Sequence, residues 1–120
     1  MKFNITRVIC FGLLAAIGAQ AADKNTPVAR GRDTFMRVGC YECHGTVGQG
    51  GSAGLKLAPE PLPVEALTQF LRGTTGAMPA YSEKVLSDAQ VADIHAYLAS
   101  IPAPPPIDKI PLLRDLRQGS

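Results

Sequence analysis

The chain has 120 residues, of which 46% are hydrophobic and 18% are charged, and it contains no tryptophan. This length accommodates one small domain and excludes a two-domain enzyme or a bundle of transmembrane helices. The hydrophobic content excludes a disordered chain. The formal net charge of +2 is too small to indicate that the protein binds nucleic acid.

Residues 1–21 combine the features of a secretory signal peptide: Lys2 and Arg7 near the start, an apolar stretch, and a small-residue cleavage site at 19–21. The apolar stretch is shorter than the roughly 20 residues of a membrane span, and an uncleaved membrane anchor is the alternative. Cleavage after Ala21 would leave equal numbers of acidic and basic residues. We therefore expect export to the periplasm and little long-range steering by net charge.

Capping residues and apolar spacing predict three helices. The first covers 27–38, because Thr26 suits the cap position and Gly39 suits the end. The second covers 63–71, with apolar residues at i, i+3 and i+7. The third begins at the capping-box pattern of 87–90. No segment has a convincing strand pattern, so the predicted fold class is all-α.

Glycine-containing loops separate these helices. The segment 45–62 contains five glycines, and the segment 72–79 ends in Met78 and Pro79. Residues 81–86 are expected to form one or two helical turns. Three or four short helices bury too little apolar surface for a stable domain of this size. We therefore expect a disulfide, a metal or a large cofactor to complete the core.

The segment Cys40-Tyr41-Glu42-Cys43-His44 is a C-x-x-C-H motif, the pattern to which c-type haem is attached. Each thiol would add to one haem vinyl group, and His44 would then be the proximal iron ligand. A thioredoxin-like redox pair would need a βαβ context. A zinc site would need a second Cys or His pair, for which His95 alone is insufficient. We expect one haem c, covalently attached through Cys40 and Cys43.

The second axial ligand decides the function. Iron with one protein ligand can bind gases or react with peroxide, whereas iron with two strong ligands mainly transfers electrons. Met78 lies in a loop that can fold over the opposite haem face, and Pro79 stiffens it. His95, on the last predicted helix, is the competing candidate. We predict axial ligation by His44 and Met78.

Together these motifs resemble the small class I c-type cytochromes, over roughly residues 27–102. The matching features are Gly31, Phe35, the C-x-x-C-H motif, Met78-Pro79 and Ile94-His95-Ala96-Tyr97-Leu98. The resemblance implies the small class I cytochrome c fold, with three or four short helices wrapped around one covalent haem. It also implies that Gly31 and Phe35 of the first helix cross the last helix near Tyr97 and Leu98.

In many members of that family a Gly-Pro-x-Leu motif follows the haem motif, and its proline carbonyl accepts the Nδ1–H of the proximal histidine. This chain has leucine at the proline position, residue 55, and the resemblance implies that the carbonyl of that residue takes the role. It further implies that Leu57 and Pro59 line the haem pocket. For Arg72 two interpretations stay open, a haem-propionate partner and a solvated surface arginine, of which we favour the second.

The predicted organisation is a signal peptide at 1–21, a mono-haem cytochrome c domain at 22–102, and a proline-rich segment with a tail at 103–120. We predict a periplasmic one-electron carrier rather than an enzyme, with a dehydrogenase or oxidase as its redox partner and no membrane span in the mature form. It would be free or the electron-accepting subunit of a dehydrogenase, as in the p-cresol methylhydroxylase flavocytochromes. A haem-based gas sensor or small peroxidase with a labile sixth ligand is the alternative.

The tail motivates the subunit hypothesis. Its segment 107–116 holds five aliphatic residues that the domain does not obviously need, behind a stiff proline-rich exit. We interpret this segment as a possible docking tail. The alternative is that it packs back on its own domain or frays.

Overall fold

The computed structural model describes residues 23–118, so the predicted signal peptide and its cleavage site lie outside the described residues. This part of the chain contains five α-helices and one 3₁₀ turn, and no strand. The elements are α1 (Pro27–Arg37), α2 (Cys40–His44), α3 (Val64–Gly73), α4 (Asp88–Ala99), the 3₁₀ turn (Ile107–Lys109) and α5 (Pro111–Gln118). The predicted all-α fold class is confirmed.

Helix α1 begins where the sequence predicts and ends one residue earlier. The Thr26 hydroxyl accepts a hydrogen bond from the backbone N–H of Ala29 at 3.1 Å, which satisfies one of the donors exposed at the helix start. At the other end Gly39 has φ +83°, a left-handed conformation that glycine adopts without strain. The C-x-x-C-H motif, α2, follows this glycine directly as a separate helix.

Helix α4 has the predicted capping box. The Ser87 hydroxyl accepts from the Gln90 N–H at 3.3 Å, and the Gln90 side chain accepts from the Ser87 N–H at 2.9 Å. The segment before it forms one hydrogen-bonded turn rather than a helix: the N–H groups of Val85 and Leu86 both donate to the Ser82 carbonyl at 3.0 Å.

The core is centred on the crossing of α1 and α4. Gly31 permits the close approach, because a Cβ at this position would lie 1.9 Å from the carbonyl oxygen of Asp93. The rings of Phe35 and Tyr97 stack tilted, with centroids 5.7 Å apart. The expected contact of Phe35 with Tyr97 is confirmed, whereas Gly31 meets α4 at Asp93 and Ile94, nearer the start of that helix.

Buried apolar side chains from α1, α3, α4 and the intervening loops form a single cluster. Its members are Phe35, Ala58, Leu67, Leu71, Leu86, Val91, Ile94, Tyr97 and Leu98. Cys40, Met78 and Tyr81 are partly buried and pack against this cluster. The core therefore supports both the haem motif and the methionine loop.

The part of the tail that the structure describes ends in α5. Within the described residues α5 packs against the 3₁₀ turn and against no other helix. Leu112, on α5, is 70% exposed. None of the helices in residues 23–118 has the length and apolar character needed to cross a membrane.

Candidate haem site

A cavity of about 330 Å³ lies where α2, the loop after it, α3 and the methionine loop converge. Its lining consists of Gly39, Cys40, Cys43, His44, Ala53, Gly54, Leu55, Phe70, Ala77, Met78, Pro79 and Tyr81. The fold thus brings Cys40, Cys43, His44 and Met78 to one cavity. His95 is partly buried on α4 and is not among the lining residues in the described part of the chain.

Helix α2 presents the three residues of the haem motif together. Cys40, Cys43 and His44 are related by three and four positions, which places them on one face of a helix. Glycines with positive φ stand on both sides of this short helix, Gly39 at +83° and Gly45 at +75°. The motif is therefore a separate turn and a half of helix that packs against the core through Cys40 and Tyr41.

The loop after α2 orients the imidazole of His44. The Nδ1–H donates to the Leu55 carbonyl at 2.7 Å, which confirms the expected carbonyl despite the absence of the family's proline. Gly54 makes this contact possible, because a Cβ there would lie 2.7 Å from the Cys43 carbonyl oxygen and 2.9 Å from His44 Nδ1. With Nδ1 donating, Nε2 is the nitrogen available to a metal.

Leu57 and Pro59, which the family resemblance implies line the haem pocket, follow in the same loop. The backbone N–H groups of Leu57 and Ala58 both donate to the Gly48 carbonyl, at 2.8 and 3.0 Å. These bonds turn the chain toward the core, where Leu57 packs against the buried cluster and Ala58 belongs to it. Leu57 and partly buried Pro59 are therefore not among the cavity-lining residues in 23–118, and Leu55 lies at the cavity in their place.

The pKa of the Cys40 thiol bears on the alternative interpretation of the motif as a thioredoxin-like redox pair. Burial raises the pKa of the Cys40 thiol to about 11, and the neighbouring Cys43 adds to the shift. Thiols that exchange disulfides have a lowered pKa. Cys40 therefore lacks the lowered pKa of a thioredoxin-like nucleophile, and the described residues also lack the strands that such a site requires.

Arg72 and Thr74 stand where α3 ends and the methionine loop begins, in structural settings that the sequence did not indicate. The Arg72 guanidinium donates through Nη1 to the Tyr81 carbonyl at 2.8 Å and through Nη2 to Asp88. Arg72 is therefore a bonded, partly buried residue rather than the solvated surface arginine favoured from the sequence. The Thr74 hydroxyl is buried and has no hydrogen-bond partner among the described residues. No local sequence pattern distinguishes either residue. For Arg72 the reason is that Asp88, its charged partner, lies on another helix.

The donor set fits haem c. Two thiols one turn apart, an oriented imidazole and a thioether line a cavity whose other lining residues are glycine, alanine, leucine, phenylalanine, proline and Tyr81. Cys40 and Cys43 would hold the haem covalently, and His44 and Met78 are the donors available to its iron. Within residues 23–118, no three His, Cys, Asp or Glu side chains are grouped so as to hold a metal ion, as the zinc alternative would require.

A small all-α domain with a C-x-x-C-H helix and a methionine loop at one apolar cavity defines the class of c-type cytochromes. Residues 26–98 match the family model described as "Cytochrome C oxidase, cbb3-type, subunit III". The chain belongs to this cytochrome c family. It is an electron-transfer protein that uses haem, and it is not itself a catalytic enzyme.

Three curated proteins illustrate the range of its relatives. The chain is 33% identical to the 4-cresol dehydrogenase [hydroxylating] cytochrome c subunit of Pseudomonas putida, over 81% of this chain and 80% of that protein. It is 38% identical to the cytochrome bc1 complex cytochrome c subunit of Corynebacterium diphtheriae, over 69% of this chain. It is 29% identical to the cbb3-type cytochrome c oxidase subunit CcoP of Helicobacter pylori, over 79% of this chain.

The chain spans only 31% and 35% of the Corynebacterium and Helicobacter proteins. No solved structure matches the chain significantly. The relatives are named as subunits of a dehydrogenase, a bc1 complex and an oxidase, which supports a protein redox partner for this chain.

Proposed function

We propose that the chain is a periplasmic one-electron carrier whose single haem c is attached at Cys40 and Cys43 and ligated by His44 and Met78. The observation that carries the proposal is that these four residues, from two separate segments, line one apolar cavity. When bound, the haem supplies an iron that alternates between Fe(III) and Fe(II), one electron at a time.

The protein residues have distinct roles in this proposal. Each thiol adds across one vinyl group: the sulfur forms a bond to carbon and the hydrogen goes to the neighbouring carbon. The Leu55 carbonyl accepts the Nδ1–H of His44, which holds the ring in the tautomer that leaves Nε2 for the iron and increases its basicity. The thioether of Met78 favours the ferrous state and raises the potential relative to a second histidine.

The test is the absorption spectrum of the holoprotein, oxidised and then reduced. We expect the weak long-wavelength band of an iron–thioether bond in the oxidised protein, and its loss in Met78→Leu. The control is Met36→Leu, which also alters a partly buried methionine packed against the core and should keep the band. A band that persists in Met78→Leu contradicts the ligation.

Carbon monoxide distinguishes the carrier from a sensor or peroxidase. A stable sixth ligand should make binding of carbon monoxide to the reduced protein slow and incomplete at neutral pH. Fast and complete binding would transfer the proposal to a gas sensor or a small peroxidase, and would favour an open or labile sixth position over stable ligation by Met78.

The periplasmic location is supported by the leader pattern at 1–21. We expect the mature protein recovered from the periplasm to begin at Ala22, which intact mass and N-terminal sequencing measure directly. A mature protein that retains residues 1–21 contradicts cleavage and favours a membrane anchor.

The partner proposed is the catalytic subunit of a periplasmic dehydrogenase, from which this chain would accept electrons. Support comes from the Pseudomonas relative, which the chain matches over most of its length. The docking segment would be 107–116, because Leu112 and Leu113 of α5 leave 70% and 42% of their surfaces exposed.

Replacing Leu112 and Leu113 together with serine tests the docking segment. We expect slower electron transfer from the dehydrogenase and an unchanged haem spectrum. The matched control is Leu62→Ser, at a leucine that is 53% exposed elsewhere on the surface. Equal transfer rates in both variants and in the wild type contradict a docking role for the tail.

A further inference from the structure

The loop that carries Met78 is closed at its base by hydrogen bonds to one residue. The backbone N–H of Tyr81 donates to the Leu71 carbonyl at 2.8 Å, and Arg72 Nη1 donates to the Tyr81 carbonyl at 2.8 Å. Leu71 and Arg72 lie in the last turn of α3, where helix carbonyls lack an intrahelical partner. The chain therefore leaves α3, passes through Met78 and returns to α3 within ten residues.

We propose that Arg72 is a positioning residue that closes this loop and thereby keeps Met78 available to the haem iron. The inference rests on the proposed ligation by His44 and Met78. It assigns Arg72 a role that neither a solvated surface arginine nor a propionate partner would have.

The loop has little burial of its own to fix its shape. Thr75, Gly76, Ala77, Pro79 and Ala80 are all exposed. Only Met78 is partly buried between them, packed against the core cluster. A loop of this kind is held by its ends. The hydrogen bonds at Tyr81 therefore control how often the loop opens locally and carries the Met78 thioether away from the cavity.

The Arg72 guanidinium is itself held from the other side. Its Nη2 pairs with Asp88, the first residue of α4, and the Arg72 side chain is 25% exposed against 66% for Asp88. The carboxylate also lies at a helix N-terminus, where negative charge is favoured. The planar fork of arginine can serve the carbonyl and the carboxylate together, whereas the single ammonium of lysine cannot reproduce that geometry.

A third bond ties the same tyrosine to the segment that enters the haem motif. The Tyr81 hydroxyl donates to the Val38 carbonyl at 3.1 Å, two residues before Cys40. Tyr81 therefore links the methionine loop, α3 and the end of α1. Arg72 supplies the charge-assisted bond of this set, the class that is about twice as strong as a bond between neutral groups.

The test measures how easily an external ligand replaces Met78. Imidazole is titrated into the oxidised holoprotein, and displacement is followed by loss of the iron–thioether band. For Arg72→Gln we expect the Kd of imidazole to fall about tenfold, equivalent to about 1.4 kcal/mol. Arg72→Lys should lie between this variant and the wild type. The control is Arg32→Gln, at an exposed arginine of α1, which should leave the Kd unchanged.

A second background separates positioning of Met78 from general loosening of the pocket. In Met78→Leu there is no thioether to displace, so imidazole binding is followed by the change in the main haem absorption band, and adding Arg72→Gln should leave the imidazole Kd unchanged. Asp88→Asn alone should lower the imidazole Kd by about threefold. Added to Arg72→Gln it should cause no further decrease, because both substitutions act through the same guanidinium. Asp88→Asn also serves if Arg72→Gln fails to assemble with haem, since it retains the arginine.

Two results would overturn the inference: an Arg72→Gln Kd equal to that of Arg32→Gln, or an equal fall of the Kd in the Met78→Leu background. Where Arg72→Gln does not assemble, an Asp88→Asn Kd equal to the wild type overturns it. Failure of the proposed ligation is visible separately. In that case the wild-type protein lacks the iron–thioether band, and both the ligation and this inference are wrong.

Discussion

The contact between Gly54 and the haem motif leads to a prediction that tests how the proximal histidine is held. In Gly54→Ala the new Cβ would lie 2.7 Å from the Cys43 carbonyl oxygen and 2.9 Å from both the Cys43 carbonyl carbon and His44 Nδ1. Two of these atoms are backbone, so the loop has to move away from α2. The bond from His44 Nδ1 to the Leu55 carbonyl, 2.7 Å long, would lengthen or break.

The magnitude follows from two effects. Forcing an extra methyl group into a packed site costs about 1–3 kcal/mol of unfolding free energy. Loss of the carbonyl acceptor makes the imidazole less basic, which weakens its preference for ferric iron. A threefold to tenfold loss of that preference corresponds to a rise in midpoint potential of roughly 30–60 mV, at about 59 mV per tenfold for one electron.

The assays are denaturant unfolding and potentiometric titration of the holoprotein. Gly73→Ala is the matched control, because a Cβ at Gly73 would have nothing within 4 Å. We expect that control to retain the wild-type potential and to change stability by less than about 1 kcal/mol. If Gly54→Ala matched the control in both stability and potential, the steric reasoning and the role of the Leu55 carbonyl would both be refuted.

Three further predictions concern the core and the tie at Tyr81. Gly31→Ala should destabilise the holoprotein by at least about 1–3 kcal/mol, because its Cβ would lie 1.9 Å from the Asp93 carbonyl oxygen; an unchanged denaturation midpoint would contradict the close crossing. Tyr97→Phe should cost about 1 kcal/mol through loss of the 2.7 Å hydrogen bond to the Thr46 carbonyl, with an unchanged haem spectrum; a stability equal to the wild type would show that the bond contributes nothing. Burial raises the pKa of Tyr81, and the negative charge of Glu42 adds to the shift. The folded state therefore favours the neutral phenol, and stability should decline as pH rises above about 10, the ordinary tyrosine pKa. Tyr81→Phe should show a shallower decline between pH 9 and 11 in thermal unfolding, and equal slopes would contradict the shift.

Features that depend on neighbouring residues could be predicted from the sequence. The Thr26 cap and the box of Ser87 and Gln90 are confirmed, because each needs a side chain and a backbone N–H within three positions. The grouping of Cys40, Cys43 and His44 follows from helical spacing alone. The carbonyl that accepts from His44 came from the family resemblance, not from any local pattern.

Features that depend on distant segments could not be predicted in this way. Leu57 turns into the core because the Gly48 carbonyl takes two backbone N–H groups, and nothing at residue 57 indicates that choice. Arg72 lies in a local sequence like that of any helix end, and its environment exists only because α4 brings Asp88 beside it.

By itself, therefore, the sequence determined the all-α class, the helix ends and the attachment motif, since capping and spacing are properties of adjacent residues. The tertiary structure alone decided which residues line the cavity, which hydrogen bonds close the base of the methionine loop and that, among the described residues, α5 contacts no other helix. These properties depend on the close crossing of α1 and α4 and on hydrogen bonds between segments, whose distances in space cannot be obtained from their order along the chain.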